Sequence, residues 1–174
     1  MSRLLELLSD NDIEVVVDVR SSPYPRYHTQ FDLPVLRESL AVNRIKYVHI
    51  PQLGGRPKAR TFYDEDGHVL YARLAESPDF RDGLRRLLTG AEDFRVAVLC
   101  SEEDPVSCHR WRLIGRAVEE VGQAMEHLRG DGRIESHRDV LLRDEALHPE
   151  RYQMQLIESA DDQWRSTKPV DRAR

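Results

Sequence analysis

The sequence contains few cysteines and no long apolar segment, and each shortage excludes a class of protein. Two cysteines in 174 residues are too few for a disulfide framework and are typical of a reducing compartment. No apolar run approaches the length that crosses a bilayer. The amino-terminal segment MSRLLELLSDN carries acids and too few apolar residues for a signal peptide. We therefore expect a cytoplasmic protein that makes no contact with a membrane.

Positive charge is also in deficit, because 26 lysines and arginines face 31 acidic residues and leave a net charge of −5. The chain as a whole is therefore no electrostatic binder of nucleic acid. Residues 20–60 are the exception, with eight basic and two acidic side chains, so nucleic acid stays open as a partner. The length of 174 residues suits one compact domain, and nothing in the pattern gives its oligomeric state.

Short β-branched segments alternate with amphipathic helical patterns along the chain. Near-continuous apolar runs predict strands at 13–19, 45–50 and 95–99 that are buried on both faces, as in a parallel sheet. Apolar residues at helical spacing predict helices at 3–9, 32–43, 77–90, 108–122 and near 152–157. We also expect a surface loop at 56–70, a short last strand at 124–128 and a chain that frays after Trp164. The alternation predicts an α/β sandwich with a mostly parallel sheet.

Reactive side chains follow the ends of three predicted strands. Asp18 and Arg20 end the first strand, His49 ends the second, and the segment CSEEDPVSCHR, residues 100–110, follows the third. We call residues 100–110 the cysteine loop. Because ligands of parallel sheets bind beyond the carboxyl ends of the strands, we expect these groups to share one pocket.

The residue types of the cysteine loop predict thiol chemistry. Cys108 lies at a predicted helix start, where helix N–H groups, Arg110 and a protonated His109 would lower the pKa of a thiol and favour a nucleophile. Cys100, at the end of a strand, serves either packing or direct chemistry. Glu102 is a candidate general acid or base, or else it orients Arg110 or favours the helix dipole. We therefore predict Cys108, Cys100, Glu102 and His109 as catalytic residues.

Charged side chains around the cysteine loop predict a binding site for an anion. Arg20, Arg26 and Arg110 are candidates for a fork-like clamp on a phosphate or carboxylate group. Asp18 either ties down the loop that follows it or belongs to the site itself. His49 is predicted to bind substrate because it ends a strand at the same edge.

The spacing of the glycines and cysteines can be compared with known phosphate-binding, zinc-binding and redox motifs. Gly54 and Gly55 follow a strand and permit close approach of the backbone, so we include both as substrate-binding residues. Their spacing fits neither the Walker nor the dinucleotide pattern, and taken alone an ordinary turn is the simpler interpretation. The Cys-x7-Cys spacing matches no usual zinc pattern, even with His109 and His49 as further ligands, and it lacks the Cys-x-x-Cys redox signature. We therefore expect no metal and no cofactor.

Taken together, these residues resemble the family of domains of unknown function DUF488. The resemblance rests on Asp18-Val19-Arg20-Ser21 with Pro23 and Arg26, on Tyr47-Val48-His49-Ile50-Pro51 with Leu53-Gly54-Gly55, and on Cys100, Glu102, Pro105 and Cys108-His109-Arg110. His127, Gly132 and His137 fit the closing segment of the family. The resemblance implies one Rossmann-like α/β domain over residues 1–137, with a charged, partly helical extension at 138–174.

The family resemblance also implies a further strand before the first helix, ending in a segment of the Gly-His-Ser type. This chain starts at that helix. Either its start codon is misplaced, or one strand and part of the rim are absent.

The function expected from these patterns is that of an enzyme. Its rim would bind a small phosphorylated or nucleotide-like anion, and its cysteine loop would supply thiol-dependent chemistry. A non-catalytic module that binds nucleic acid or a nucleotide is the alternative. In a third interpretation the cysteine loop only braces the helix that follows it.

Overall fold

The structure of the protein is a computed structural model that describes residues 1–153 and 164–170. Its helices and strands are α1 (Ser2–Asp10), β1 (Val15–Asp18), α2 (Leu33–Val42), β2 (Lys46–His49), α3 (Tyr71–Glu76), α4 (Pro78–Asp93), β3 (Val96–Leu99), α5 (Arg116–Glu120), β4 (Glu126–Leu128), β5 (Ile134–Ser136), α6 (His137–Leu147) and α7 (Glu150–Gln153). A π-helical segment, Arg110–Gly115, leads directly into α5. Among the helices in these two ranges, none combines the length and apolar character needed to cross a bilayer.

Three parallel strands form the central sheet in the order β2-β1-β3. The middle strand, β1, pairs in parallel with both neighbours. All three carboxyl ends therefore lie at one edge, where Asp18 lies opposite His49 on one side and Leu99 on the other. The prediction of a mixed helix–strand fold with a parallel sheet is confirmed.

Helices cover both faces of this sheet, because alternate residues of β1 point to opposite sides. Val15 and Val17 pack in one cluster with α4 and α5, whereas Val16 packs in another with residues of α1 and α2. None of these three valines is more than 5% exposed. Burial of each of these side chains stabilises the folded state by roughly 1.5–3 kcal/mol. Two packed layers thus explain why the strand sequences are almost continuously apolar.

Helix α4 is longer than the sequence predicts. The expected end was Gly90, but α4 continues to Asp93, and the N–H of Phe94 closes the last turn on the Gly90 carbonyl. A glycine inside a helix costs only about 1 kcal/mol, and the buried face of α4 with Phe80 and Leu87 outweighs that cost. A Cβ added at Gly90 would meet no described atom within 4 Å, so alanine fits at this position.

The short strand predicted at 124–128 is present as β4, but it lies outside the main sheet. It pairs antiparallel with β5, a strand that the sequence analysis does not predict. The turn between them uses Gly132 at a φ of 93°, which favours glycine. Ser136 then starts α6 with a capping box. This unit brings His127 and His137 together, with ring centroids 5.8 Å apart.

Residues 164–170 pack against the segment that precedes α3. The predicted surface loop at 56–70 includes Val69, which is fully buried and whose N–H donates to Ser166 Oγ at 2.9 Å. Trp164 is buried, and its indole N–H donates to the Arg112 carbonyl. The prediction that the chain frays after Trp164 is therefore wrong for residues 165–170. The part of the predicted helix near 152–157 that follows Gln153 lies outside the described residues.

Candidate functional site

A cleft of about 360 Å³ opens at the edge of the sheet where β1 and β3 end. Residues 20–22 and 55–56 form part of its wall, and residues 166–170 form another part. The cysteine loop supplies Cys100, Glu102 and several neighbours to the same lining. The edge predicted to hold the ligand therefore does carry a cavity.

Four side chains, Cys100, Glu102, Cys108 and His109, form a compact group that we call the thiol cluster. The thiol of Cys100 lies 3.0 Å from Glu102 Oε2 and 3.3 Å from His109 Nδ1. The thiol of Cys108 lies 3.4 Å from the same Glu102 oxygen. The four ligand-type atoms all lie within 4.8 Å of one another, so this group is also the one that could hold a metal ion among the described residues. The four residues predicted to be catalytic are thus neighbours in space, while their roles stay predictions.

The fold of the cysteine loop explains why distant positions in the sequence meet. Asp104 caps a 3-10 turn, Pro105–Ser107, by accepting the N–H of Val106 at 3.1 Å. This turn carries the chain back, so that Cys108 reaches Glu102. Arg110 holds the loop closed by donating from its guanidinium to the carbonyls of Glu102 and Glu103.

Arg110 therefore stabilises the cysteine loop and does not form part of the cleft. Its side chain is only 9% exposed and does not line the cavity. Its backbone N–H donates to Cys108 Sγ at 3.4 Å, and its guanidinium Nη1 lies 4.0 Å from the same sulfur. The predicted role of Arg110 in an anion clamp has no support from this position.

The thiol cluster perturbs the ionisation of its own members. Burial raises the pKa of Glu102, but hydrogen bonds from the two thiols outweigh it and hold this pKa below its usual value. A hydrogen bond with Cys108, together with burial, raises the pKa of Cys100. Burial lowers the pKa of His109, but its hydrogen bond with Cys100 and the negative charge of Glu102 outweigh burial and raise this pKa. At neutral pH, an ionised Glu102 therefore accepts a hydrogen bond from a neutral Cys100 thiol.

The two thiols differ in their access to the cleft. Cys100 is half-buried and lines the cavity, whereas Cys108 is 1% exposed and does not line it. The position of Cys108 at a predicted helix start favours it as the nucleophile. In the structure Cys108 lies two residues before the helical segment that begins at Arg110, and Cys100 is the thiol that a ligand in the cleft can reach.

Asp18 and Arg20 form a buried ion pair at the end of β1. Arg20 donates from Nε to Asp18 Oδ1 at 2.9 Å and from Nη2 to Oδ2 at 2.6 Å. The hydroxyl of Tyr47 donates to Asp18 Oδ2 at 2.7 Å, and His49 Nε2 lies 3.0 Å from the Arg20 carbonyl. Burial raises the pKa of Asp18, but the hydrogen bonds from Arg20 and Tyr47 outweigh it and lower this pKa. Asp18 thus ties down the following loop, which was one of the two interpretations left open.

Because of this ion pair and its neighbours, the predicted binding residues have little free charge available for a ligand in the cleft. Arg20 lines the cleft, but the carboxylate of Asp18 already matches its charge. His49 supports the Arg20 backbone and does not line the cavity. Arg26 is exposed, stacks at 5.7 Å on Tyr27, and lies outside the lining. The structure therefore does not assemble the three-arginine clamp that the sequence predicts.

Gly54 and Gly55 are close-approach positions rather than an ordinary turn. A Cβ on Gly55 would lie 2.7 Å from Cγ of His109, and a Cβ on Gly54 would lie 2.4 Å from Ser21 Oγ. Heavy atoms that are not bonded to each other do not approach this closely in a packed protein interior. Because glycine has no side chain, the backbone at Gly55 can pack directly against the His109 imidazole, and the backbone at Gly54 can pack against Ser21 in the lining of the cleft.

We expect Gly55→Ala to disturb His109 directly. The added methyl group must push the imidazole or the loop aside, which should lower the free energy of unfolding by about 1 kcal/mol. Urea denaturation measures this change. The matched control is Gly90→Ala, which has open space and should stabilise α4 by roughly 0.5–1 kcal/mol. Equal effects from both substitutions would contradict the close packing of Gly55 against His109.

Several residues that line the cleft were not predicted from the sequence. Arg56 and Lys168 are exposed side chains of the lining, and within the described ranges neither has an ion pair. Arg112 also lines the cleft, but it pairs with the buried Asp144 at 3.2 Å. Arg56 lies in the segment already recognised as basic. Lys168 had no local signal, because only the docking of residues 164–170 brings it to the cleft.

The fold and the site together define an α/β protein with a thiol–carboxylate–imidazole cluster at the carboxyl edge of a parallel sheet. The chain belongs to the family described as domain of unknown function DUF488, whose model matches residues 1–117. The family resemblance is thereby confirmed for the sheet and the cysteine loop, while His127 and His137 lie beyond the matched residues. Searches of curated proteins and of solved structures found no match.

Proposed function

We propose that the protein is an enzyme in which the Cys100 thiol acts on a small phosphorylated or nucleotide-like substrate held in the cleft. One observation carries this proposal. Cys100 lines the cavity while it lies 3.0 Å from a carboxylate oxygen and 3.3 Å from an imidazole nitrogen. A nucleophilic thiol needs such a proton acceptor and such an orienting partner.

The charge and polarity of the lining support an anionic ligand. Arg56 and Lys168 present cationic groups that are not committed to any acid of the described residues. Ser21, Ser22 and Thr167, whose side chains carry hydroxyl groups, line the same cavity. A volume of about 360 Å³ falls in the range of small-molecule sites, which favours a small anion over a strand of nucleic acid.

The proposed step uses three members of the thiol cluster. Cys100 gives its proton to the carboxylate of Glu102 while its sulfur forms a bond to the electrophilic atom of the substrate. The bond from that atom to the leaving group breaks with its electron pair, and the leaving group takes the proton back from Glu102. His109 lies beside the sulfur and stabilises the negative charge that develops there.

Alkylation with iodoacetamide on metal-free, reduced protein tests this proposal. Peptide mapping should locate the first alkylation at Cys100, and inorganic pyrophosphate or AMP should slow it at least about 10-fold by filling the cleft. The double variant Arg56→Ala/Lys168→Ala should lose this protection, because it removes the uncommitted cations. The control Arg37→Ala changes an exposed arginine on α2 and should keep it.

Two outcomes would overturn the proposal. Equal, slow alkylation of both cysteines would exclude Cys100 as the reacting thiol. Binding of AMP by calorimetry without any protection of Cys100 would favour a binding module that performs no chemistry.

We also propose two broader properties. The sheet with helices on both faces supports a Rossmann-like three-layer sandwich, in which ligands bind at the carboxyl edge of the strands. The two free cysteines suit a reducing compartment, and we infer a cytoplasmic location on that ground.

A further inference from the structure

We propose that the thiol cluster is a binding site for one divalent cation of the zinc class and that the bound ion masks the thiols. The inference goes beyond the proposed function, because metal binding requires no substrate and no turnover. It rests on the positions of four donor atoms, on the neighbours of the two sulfurs and on the opening of the cluster to the cleft.

The donor atoms already lie at distances from one another close to those in a tetrahedral zinc site. Bond lengths of about 2.3 Å to sulfur and 2.0–2.2 Å to nitrogen and oxygen place the ligands of tetrahedral zinc roughly 3.3–3.8 Å apart. Cys100 Sγ lies 3.0 Å from Glu102 Oε2 and 3.3 Å from His109 Nδ1, and Cys108 Sγ lies 3.4 Å from the same carboxylate oxygen. No pair in the set is more than 4.8 Å apart. Shifts of about 1 Å or less would therefore admit an ion.

The types of ligand select the class of ion. Two thiolates and an imidazole are soft or borderline donors, which favour zinc and cobalt over magnesium and calcium. Glu102 completes a set of four. His49 was the other candidate for that position, but its Nε2 lies 3.0 Å from the Arg20 carbonyl, and the fold supplies Glu102 instead.

Groups around Cys108 are suited to a metal-bound thiolate. The Arg110 backbone N–H points at Cys108 Sγ from 3.4 Å, and the Arg110 guanidinium lies 4.0 Å from it. Two thiolates and one carboxylate carry three negative charges, so an ion of charge two leaves one negative charge that the buried guanidinium of Arg110 offsets. Such outer contacts orient metal ligands and tune their charge.

An ion can reach the cluster from solvent. Cys100, Glu102 and His109 all line the cleft, and Glu102 is exposed. Entry of the ion releases one proton from each thiol to water, because both sulfurs must bind as thiolates. One lone pair of the Cys100 sulfur then forms a bond to the metal, which makes this sulfur a weaker nucleophile than the free thiolate. We therefore expect a bound ion to suppress the reaction of Cys100.

A cobalt titration of the reduced, metal-free chain tests the inference. We expect one Co²⁺ per chain with the intense near-ultraviolet absorption of a cobalt–thiolate bond, and complete loss of that absorption when Zn²⁺ is added in equal amount. Zn²⁺ should also block alkylation of both cysteines by iodoacetamide, and a chelator should restore it. No thiolate absorption, or alkylation that is the same with and without Zn²⁺, would overturn the inference.

Variants then locate the ion. Cys100→Ser and Cys108→Ser should each weaken cobalt binding by more than the roughly 10–100-fold that loss of an outer contact costs, and Glu102→Gln should weaken it clearly. The matched control Glu103→Gln changes the neighbouring carboxylate, which pairs with Arg129 at 2.9 Å, and should leave cobalt binding unchanged. Unchanged binding in both serine variants would place the ion elsewhere and refute the proposed site.

These results are independent of the test of the proposed function. Absence of cobalt absorption from wild-type protein would refute the metal site while leaving protection of Cys100 by pyrophosphate intact. Absence of that protection would refute the enzyme while leaving metal binding intact.

Discussion

Replacing Asp18 by alanine should lower the free energy of unfolding by about 3–5 kcal/mol, because it leaves a buried guanidinium without its partner. Asp18 is fully buried and Arg20 is 6% exposed. The carboxylate accepts three hydrogen bonds from the Arg20 side chain, at 2.6 to 3.1 Å, one from the Arg20 backbone N–H at 3.0 Å, and one from the Tyr47 hydroxyl at 2.7 Å. All of these partners lose their acceptor at once in the variant. Urea denaturation at neutral pH measures the loss.

An exposed ion pair provides the control for this substitution. Asp82 pairs with Arg85 on the surface of α4, and both side chains are at least 47% exposed. Asp82→Ala should therefore change the free energy of unfolding by no more than about 0.5 kcal/mol. A loss below about 1 kcal/mol for Asp18→Ala would contradict the burial of the pair and, with it, the anchoring of the loop that carries Arg20 to the cleft.

Acidification should destabilise the protein through His127. Burial is the main cause that lowers the pKa of His127 to about 3, and the nearby charge of Arg110 lowers it further. The unfolded chain has a histidine with a pKa near 6.5. Below that pH the unfolded state binds a proton that the folded state does not, so stability is full above pH 6.5 and is lost as the pH falls toward 3. Between pH 7 and pH 5 the loss from this one group is about 2 kcal/mol.

His127→Leu should remove this part of the pH dependence. Neither ring nitrogen of His127 has a hydrogen-bond partner within the described ranges, so an apolar side chain costs little at neutral pH. Unfolding measured at pH 7 and pH 5 should show a smaller difference for the variant, by about 2 kcal/mol. His28→Gln changes an exposed histidine and is the control. The same pH dependence in wild type and His127→Leu would refute the prediction.

Two other histidines act in the same pH range, with opposite signs. Burial lowers the pKa of His137, which adds to the loss on acidification. His109 has a raised pKa, so its contribution is present at low pH and is lost as the pH rises through that value. Comparison of variant and wild type at each pH removes those contributions that the substitution leaves unchanged. The ring of His137 lies 5.8 Å from that of His127, and its charge acts on His127, so part of the measured difference belongs to this pair.

The central part of the fold was readable from the sequence because its signals are local. The apolar runs around Val15–Asp18 and Val96–Leu99 predicted the strands, and their lack of alternation predicted a sheet covered on both faces. The β4–β5 hairpin was less readable, since Ile134–Ser136 is too short and polar to stand out. The packing of residues 164–170 depends on contacts of long sequence separation, which no local pattern records.

The site was predictable in its members but not in its geometry. Residue types alone identified the cysteine loop, yet the spacing of Cys100 and Cys108 gave no sign that the turn at Pro105–Ser107 would bring both sulfurs to Glu102. Arginine was also a misleading signal. Arg20 and Arg110 are used to hold the protein together, whereas the free positive charge at the cleft comes from Arg56 and Lys168. The type of a residue predicts the chemistry it can perform. Which charged side chains have no partner within the protein, and can therefore bind a ligand, depends on the fold.

Two hydrogen bonds join Val69 and Ser166, which are 97 residues apart: the Val69 N–H donates to Ser166 Oγ, and the Ser166 N–H donates to the Val69 carbonyl. Both can form only after residue 166 has been synthesised. On the ribosome, the strands and the cysteine loop emerge well before residues 164–170. A nascent chain can therefore present Cys100 and its neighbours to the cell on an open face while the last wall is still being translated. A premature stop or a nick ahead of Trp164 would leave that face uncovered, with the side chains of the thiol cluster present but without Lys168 and without the wall formed by residues 166–170.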